Sequence, residues 1–363
     1  MVWNPIDPEV CGLAPELNPF IRRLPKVELH VHLEGSLRPA TLRELAARNG
    51  WPAVDIETWI KEREQTAYRY GNFQGFIDAF KFAAMLLQKP QDYGLAAARL
   101  FEELASEGIR YAEVTLSAGV VLWRKQQLEL VFEAVERAAQ EAGTRWGIRV
   151  QWTFDAVRQF GAEPAREVFE WARCFQSRGV VAFGIGGDEL QGPADLFVGV
   201  YRQARESGLR LTAHAGETGG PENVVQAVNL LGAERIGHGL SSAGDPKVME
   251  LLAERQIPLE VCISSNVSTG VLQKFSDYPL RRLLEAGVLL TLNSDDPGLF
   301  GASLQREMLL AAHHFSLNQE EVVQFCRNAI QFSFLPGEEK NILAKELEIA
   351  AGTVAKENSK VEA

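Results

Sequence analysis

Lys26-Val27-Glu28-Leu29-His30-Val31-His32-Leu33-Glu34-Gly35-Ser36 is the stretch from which the rest of the chain can be read. Apolar and polar residues alternate and Val27 and Val31 are β-branched, so the segment reads as a strand. Residues two apart in a strand share a face. His30 and His32 therefore project together, and Gly35 ends the strand just beyond them. Two imidazoles side by side at a strand end suit a divalent transition metal such as zinc. A pair of hydrogen-bonded core histidines is the other reading. The choice depends on whether further ligands stand at equivalent places downstream.

A regular beat of strand and helix follows. Strands are expected at 109–116, 148–154, 180–185, 209–214, 234–238, 257–262 and 288–293, with helices at 125–142, 163–177, 193–207, 221–231, 245–254 and 279–286. With the histidine strand that makes eight, and several are the near-continuous apolar runs of buried parallel strands. The expected fold is α/β, a (β/α)8 TIM barrel with a helical insertion after strand 1 and extra C-terminal helices. Residues 1–24 are Pro-rich and read as a tail or a strap across the barrel's bottom. No Gly, Ser or Pro-rich linker divides residues 25–351, which read as one barrel domain, and 352–363 read as a disordered tail. Residues 51–90 form the insertion, where Phe73, Phe76, Ile77, Phe80, Met85 and Leu86 repeat at helical spacing. They make either a helix packed on the core or a lid whose aromatic side, with Phe76 and Phe80, covers an apolar ligand.

Composition bounds the setting. The chain has 363 residues, 46% hydrophobic and 23% charged, which is ordinary globular material. A net charge of −11 argues against nucleic acid or an anionic membrane surface as partner. Cys11, Cys174, Cys262 and Cys326 form no CxxC pair, so neither a disulfide framework nor a thiolate zinc site is expected. No basic and apolar leader opens the chain, and no apolar run approaches a membrane span. The expectation is a cytoplasmic protein, with a homo-oligomer left open.

Active sites of such barrels are built at the C-terminal ends of the strands. Every metal-type or acid–base candidate falls at one: His30 and His32 on the first, His214-Ala215-Gly216-Glu217 on the fifth, Gly237-His238-Gly239 on the sixth, and Asp295-Asp296 on the eighth. Each alone has a bland explanation: a core histidine, a carboxylate at a helix start, a turn before Pro297. Convergence of all of them is harder to explain that way. The fourth strand offers Gly187-Asp188-Glu189 and no lysine, so a single metal held by three His and one Asp is the simplest arrangement. His313 and His314 lie on a later helix and take no role.

These motifs, with Ile236-Gly237-His238-Gly239 and Ser294-Asp295-Asp296-Pro297, resemble the adenosine deaminase family of zinc hydrolases, in order from about residue 25 to 335. The resemblance implies one Zn2+ held by His30, His32, His214 and Asp295, with His238 taking the proton of the attacking water. Glu217 would protonate purine N1, Asp296 would bond N7, and the Gly187 N–H would bond N3. The implied partner is a small purine nucleoside. Glu34 departs from the pattern, since adenosine deaminases usually carry Asp there to hold a ribose hydroxyl. Gly186 is smaller than the usual residue, and Ile263 replaces a usual proline. Relatives acting on free adenine typically carry Asp where Gly237 stands. A Glu after the histidine pair and a Gly-Gly-Asp-Glu strand end look similar to the branch that deaminates 6-amino-6-deoxyfutalosine, an adenosine-like nucleoside extended at its 5′ end. Two other readings stay open: a barrel amidohydrolase cleaving another cyclic C–N bond, and a catalytically silent nucleoside-binding protein.

Overall fold

The computed structural model describes residues 14–361, with side chains to Gly352. Eight strands lie in one parallel sheet in chain order: β1 (Lys26–His32), β2 (Ile109–Leu116), β3 (Arg149–Val157), β4 (Val180–Gly186), β5 (Arg210–Ala215), β6 (Arg235–His238), β7 (Leu259–Val261) and β8 (Leu290–Leu292). Each connection returns over the outside through helix, as parallel pairing requires. The sheet closes past the end of β8, where Asp295 bridges Val31 of β1. There the His32 N–H donates to the Asp295 carbonyl at 2.7 Å, and the Asp295 N–H donates to the His30 carbonyl at 3.0 Å. The (β/α)8 barrel expected from the sequence is the fold found.

Alternation sorts the strand residues into two sets. Outward residues such as Val27, Leu29, Val31, Val114, Trp152, Phe154, Ile236 and Val261 are buried under the helices and form the apolar core. The amphipathic helices Leu128–Trp146 and Ala162–Cys174 cover β3 and β4 this way. Inward residues include Glu28, Glu113, Thr153, Asp155, Arg235, Glu260 and Thr291, all buried. The lumen is therefore polar, where barrels of this class are more often filled by branched apolar side chains.

Several elements differ from expectation. Of the two readings of residues 1–24, tail or strap, a free tail does not describe Asn18–Arg23, a helix whose Phe20 and Ile21 are buried; residues 1–13 lie outside the described ones. The insertion holds helices Ala53–Gln65 and Phe73–Met85. A further helix, Pro90–Ser106, was not anticipated, although Pro90 and Asp92 are ordinary helix-start residues. Ile263–Ser268 is helical where a loop was expected. Its Ser, Asn and β-branched residues are weak helix formers, and complete burial overrides that preference. The last helix, Gly337–Val361, continues through most of the segment expected to be disordered. Ala, Lys and Glu there contain no helix stop. Residues 362–363 lie outside the described ones.

Candidate metal centre and active site

The site is assembled where the strands end. His30 Nε2 lies 3.2 Å from His32 Nε2 and 3.2 Å from Asp295 Oδ1. His32 Nε2 lies 3.2 Å from His214 Nε2 and 3.3 Å from Asp295 Oδ1. Ligands about 2.0–2.1 Å from a tetrahedral zinc stand about 3.4 Å apart, so this spacing is that of donors around one ion. Three imidazole nitrogens this close, with a carboxylate and little water, would otherwise press lone pairs together. The donor set thus fits a metal. Ligand atoms of His30, His214, His238 and Asp295 lie within 4.8 Å of one another, and so do those of His32, Asp295 and Asp296.

The chain bends sharply to place these groups. His238 and Asp295 both adopt left-handed backbone, at φ 62° each, which is costly for residues with a side chain and is typically retained where function demands it. Two glycines make room. A Cβ at Gly35 would stand 1.5 Å from Asp296 Oδ1, and one at Gly237 would stand 2.8 Å from His30 Cε1.

Behind the first histidine runs a buried chain of charges that sequence reading missed. His30 Nδ1 lies 2.8 Å from Glu260 Oε2, and Glu260 Oε1 accepts from Arg235 Nε at 2.5 Å. Arg235 Nη2 donates to Glu113 Oε2 at 2.6 Å, and the Tyr111 hydroxyl donates to Glu113 at 2.9 Å. Burial would raise the Glu260 pKa, but the Arg235 guanidinium and His30 hold it down to about 2. Glu260 therefore stays ionised and fixes the His30 tautomer, the support that metal-bound histidines usually have. The signal in the sequence was a charged residue inside an otherwise apolar strand, as in Leu259-Glu260-Val261.

Beside the cluster stand the acid–base candidates. His238 Nε2 is 3.6 Å from Glu217 Oε2 and 3.8 Å from Asp295 Oδ2. Burial lowers the His238 pKa to about 4, leaving a neutral imidazole able to take a proton. Burial, reinforced by Asp295 and Glu189, pushes the Glu217 carboxyl well above its usual range. Burial and the adjacent Asp295 do the same to Asp296, whose Oδ1 is buried without a hydrogen-bond partner. Glu189 was part of a recognised motif without a role. Its carboxylate accepts from the backbone N–H groups of Gly216, Glu217 and Thr218 at 2.7–3.0 Å, and so pins the turn that carries Glu217.

Glu34 is buried, and both its oxygens accept from the Ser117 N–H at the end of β2, at 3.1 and 3.3 Å. Burial pushes its pKa up to about 7. Gly187 adopts φ 96°, with Gln159 packed where a Cβ would point. Phe76, on the insertion helix Phe73–Met85, is buried and packs 4.9 Å from Phe300, just past the Asp295-Asp296 turn. Phe80 is half-buried behind it, 6.2 Å from Phe76, while Met85 of the same pattern stays exposed. The apolar stripe thus seats the insertion over the rim beside the carboxylates.

A (β/α)8 barrel with histidines and an aspartate gathered at its strand ends defines a metal-dependent hydrolase. Residues 25–350 match the adenosine deaminase family model, and the chain belongs to that family, within the amidohydrolase superfamily. It is 37% identical over 335 residues to an aminodeoxyfutalosine deaminase of Streptomyces avermitilis, covering 92% of this chain and 93% of that one. It is 33% identical to an adenine deaminase of Acinetobacter baylyi (90% and 98% covered) and 32% identical to an adenosine deaminase of Shigella flexneri (89% and 98%). Among solved structures it resembles an adenine deaminase from Arthrobacter aurescens, with TM-score 0.83, 30% identity, and 89% and 98% covered. An amidohydrolase from Burkholderia ambifaria with bound zinc gives TM-score 0.81 at 26% identity, with 95% and 96% covered. The chain is an aminohydrolase, and deamination of an aminopurine is the chemistry its relatives share.

Proposed function

We propose that this enzyme is a zinc-dependent deaminase of 6-aminopurine nucleosides, with aminodeoxyfutalosine, an adenosine extended at its 5′ end, as the preferred substrate. The observation that carries the chemistry is the pair of buried acids, Glu217 and Asp296, beside the histidine cluster. Both N1 and N7 of a purine are hydrogen-bond acceptors. A group that serves either must bring a proton, and burial raises both carboxyls well above their usual range, favouring the protonated form.

Zinc held by His30, His32, His214 and Asp295 would supply a water whose pKa falls to roughly 7. His238, neutral, takes the proton of the attacking water and orients it toward carbon 6. Glu217 gives its proton to N1, which removes the aromatic resistance to attack. Asp296 donates to N7 and the Gly187 N–H to N3, fixing the ring face. The amino group leaves as ammonia after protonation, and the product is the 6-oxopurine nucleoside.

The sugar-side reading rests on Glu34 and on the similarity to aminodeoxyfutalosine deaminases. A shorter Asp at position 34 would withdraw from the Ser117 N–H and change what the first strand presents to the sugar. Gly237 lies bare against His30, where the resemblance implies an Asp in relatives that act on free adenine. Adenosine is the second reading, supported by the completeness of the constellation shared with adenosine deaminases.

Metal analysis and an ultraviolet assay of the aminopurine-to-oxopurine shift test the proposal. The panel comprises aminodeoxyfutalosine, adenosine, 2′-deoxyadenosine, other 5′-substituted adenosines and adenine. About one zinc per chain and highest kcat/KM for the 5′-extended nucleoside are expected. Zinc binding with no turnover of any 6-aminopurine nucleoside would sink it.

A further inference from the structure

The lumen holds a carboxylate that none of the roles above uses. Asp155 faces inward near the end of β3 and is 6% exposed. Among the described residues no hydrogen bond reaches it, whereas Glu28, Glu113 and Glu260 are each bonded. The neighbouring strand makes room for it. Asp155 and Gly184 are lateral partners across β3 and β4, and Gly184 and Gly186, two apart, face the lumen together. A Cβ at 184 would lie 3.0 Å from Asp155 Oδ1, and one at 186 would lie 2.8 Å from Oδ2. Two consecutive lumen positions on β4 are thus without side chains just where this carboxylate sits.

The same absent Cβ at 186 would stand 3.4 Å from His214 Nδ1, so carboxylate and imidazole look into one space. That space is a polar cavity of about 10 Å³, bounded among others by His30, Thr115, Thr153, Asp155, Thr212 and His214. It has room for about one water, with several polar partners to hold it. His214 is also less firmly backed than His30. Its Nδ1 meets only the Ile185 carbonyl, at 3.2 Å, whereas His30 has the Glu260 carboxylate at 2.8 Å. A doubly charged ion on three neutral imidazoles and one carboxylate leaves a net positive charge in a dry interior. Burial pushes the Asp155 carboxyl up to about 8, and a cation held by those ligands would draw it back to the ionised form, in which it offsets that charge.

We propose that Asp155 is a positioning residue of the metal centre, which acts on His214 through one water in this cavity. It does for the fifth-strand ligand what Glu260 does for the first-strand one. This role rests on the reading of the histidine cluster as a metal site. Its particular content is that a negative charge is required at this place in the lumen, whichever strand carries it.

The test uses the full-length protein loaded with zinc, or with cobalt(II) as a spectroscopic stand-in. Three readouts apply: affinity by chelator competition, the visible cobalt spectrum, and the melting temperature of the metal-free protein. Asp155→Asn keeps shape and removes charge. It is expected to weaken metal binding about 10–100-fold and to shift the cobalt bands, with metal-free melting unchanged. Asp155→Ala should lose as much. Adding Gly184→Asp, which returns a carboxylate to the same space from the adjacent strand, should restore most of the affinity. Wild-type affinity and spectrum in Asp155→Asn would overturn the role and leave Asp155 as a space filler. If that variant does not fold, the exchange decides: an Asp155→Ala/Gly184→Asp protein no tighter than Asp155→Ala overturns it equally. A wild-type protein that takes up neither ion overturns the metal-centre reading and this role with it. That outcome is distinct from metal binding indifferent to residue 155.

Discussion

On β1 the outward side chains are Val27, Leu29 and Val31, while the inward ones are Glu28, His30 and His32. On β2 the outward set is Ala112, Val114 and Leu116, against Tyr111, Glu113 and Thr115 inside. Both sets are buried, yet they are held by different forces. Outside, contact is non-directional: Phe132 stacks on Phe175 at 4.7 Å and meets Phe154 edge-on at 5.3 Å. A small loss there is absorbed locally. Inside, Glu113, Arg235, Glu260 and His30 depend on one another for charge balance, so a missing member strands the rest. The mantle supplies stability that tolerates variation, and the lumen supplies a fixed geometry that does not.

Substitutions on the two faces should separate these regimes. The largest effect is expected from Glu217→Gln, which removes the proton donor and keeps the shape: kcat should fall roughly 10²–10⁴-fold with metal content unchanged. Steady-state kinetics with metal analysis checks this, and near-normal turnover would refute the acid assignment. Next comes Arg235→Met, which leaves Glu113 and Glu260 buried without their cation. About 3–5 kcal/mol of stability should be lost in denaturant unfolding. Glu260→Gln should cost less stability but weaken metal binding about 10–100-fold, read by chelator competition. The smallest change is expected on the mantle: Ile236→Val, one methylene from a fully buried outward position, should cost about 0.5–1.5 kcal/mol and leave metal affinity alone. An Ile236→Val effect on the metal as large as that of Glu260→Gln would erase the distinction.

The pH dependence follows from the lumen as well. In the proposed mechanism Glu217 acts in its protonated form, and its pKa is raised, so that form is lost only as pH climbs above the raised value. kcat/KM should fall on the alkaline side. A flat alkaline limb in a pH–rate profile would contradict an acid at N1.

The mantle was legible in the sequence because its signal is periodic. Apolar runs and helix spacing placed all eight strands to within a few residues. His30, His32, His214 and Asp295 were legible because metal-type residues clustered at strand ends. Glu260, Arg235 and Asp155 escaped for the opposite reason. Each sits inside or at the end of a strand with no motif around it; the partners of Glu260 and Arg235 lie on other strands, and among the described residues Asp155 has no bonded partner to point to. Arg235 and Glu113, for example, are 122 residues apart. Nothing local announces such a pair, and the helix Ile263–Ser268 was hidden likewise, since burial rather than propensity creates it.

One rung of the barrel joins these themes to the order of synthesis. Asp295 closes the sheet through its backbone and turns its side chain to the histidines, so the last strand's end both seals the cylinder and completes the ligand set. The first and last strands meet across a separation of 264 residues, from Leu29 to Asn293. A growing chain therefore carries its histidine pair through most of translation before the aspartate of the cluster is made. The cluster of three histidines and an aspartate is complete only when the cylinder shuts. Length is thereby written into the site: a chain that stops short of Asp295 keeps its histidines yet has neither the seam nor the complete cluster.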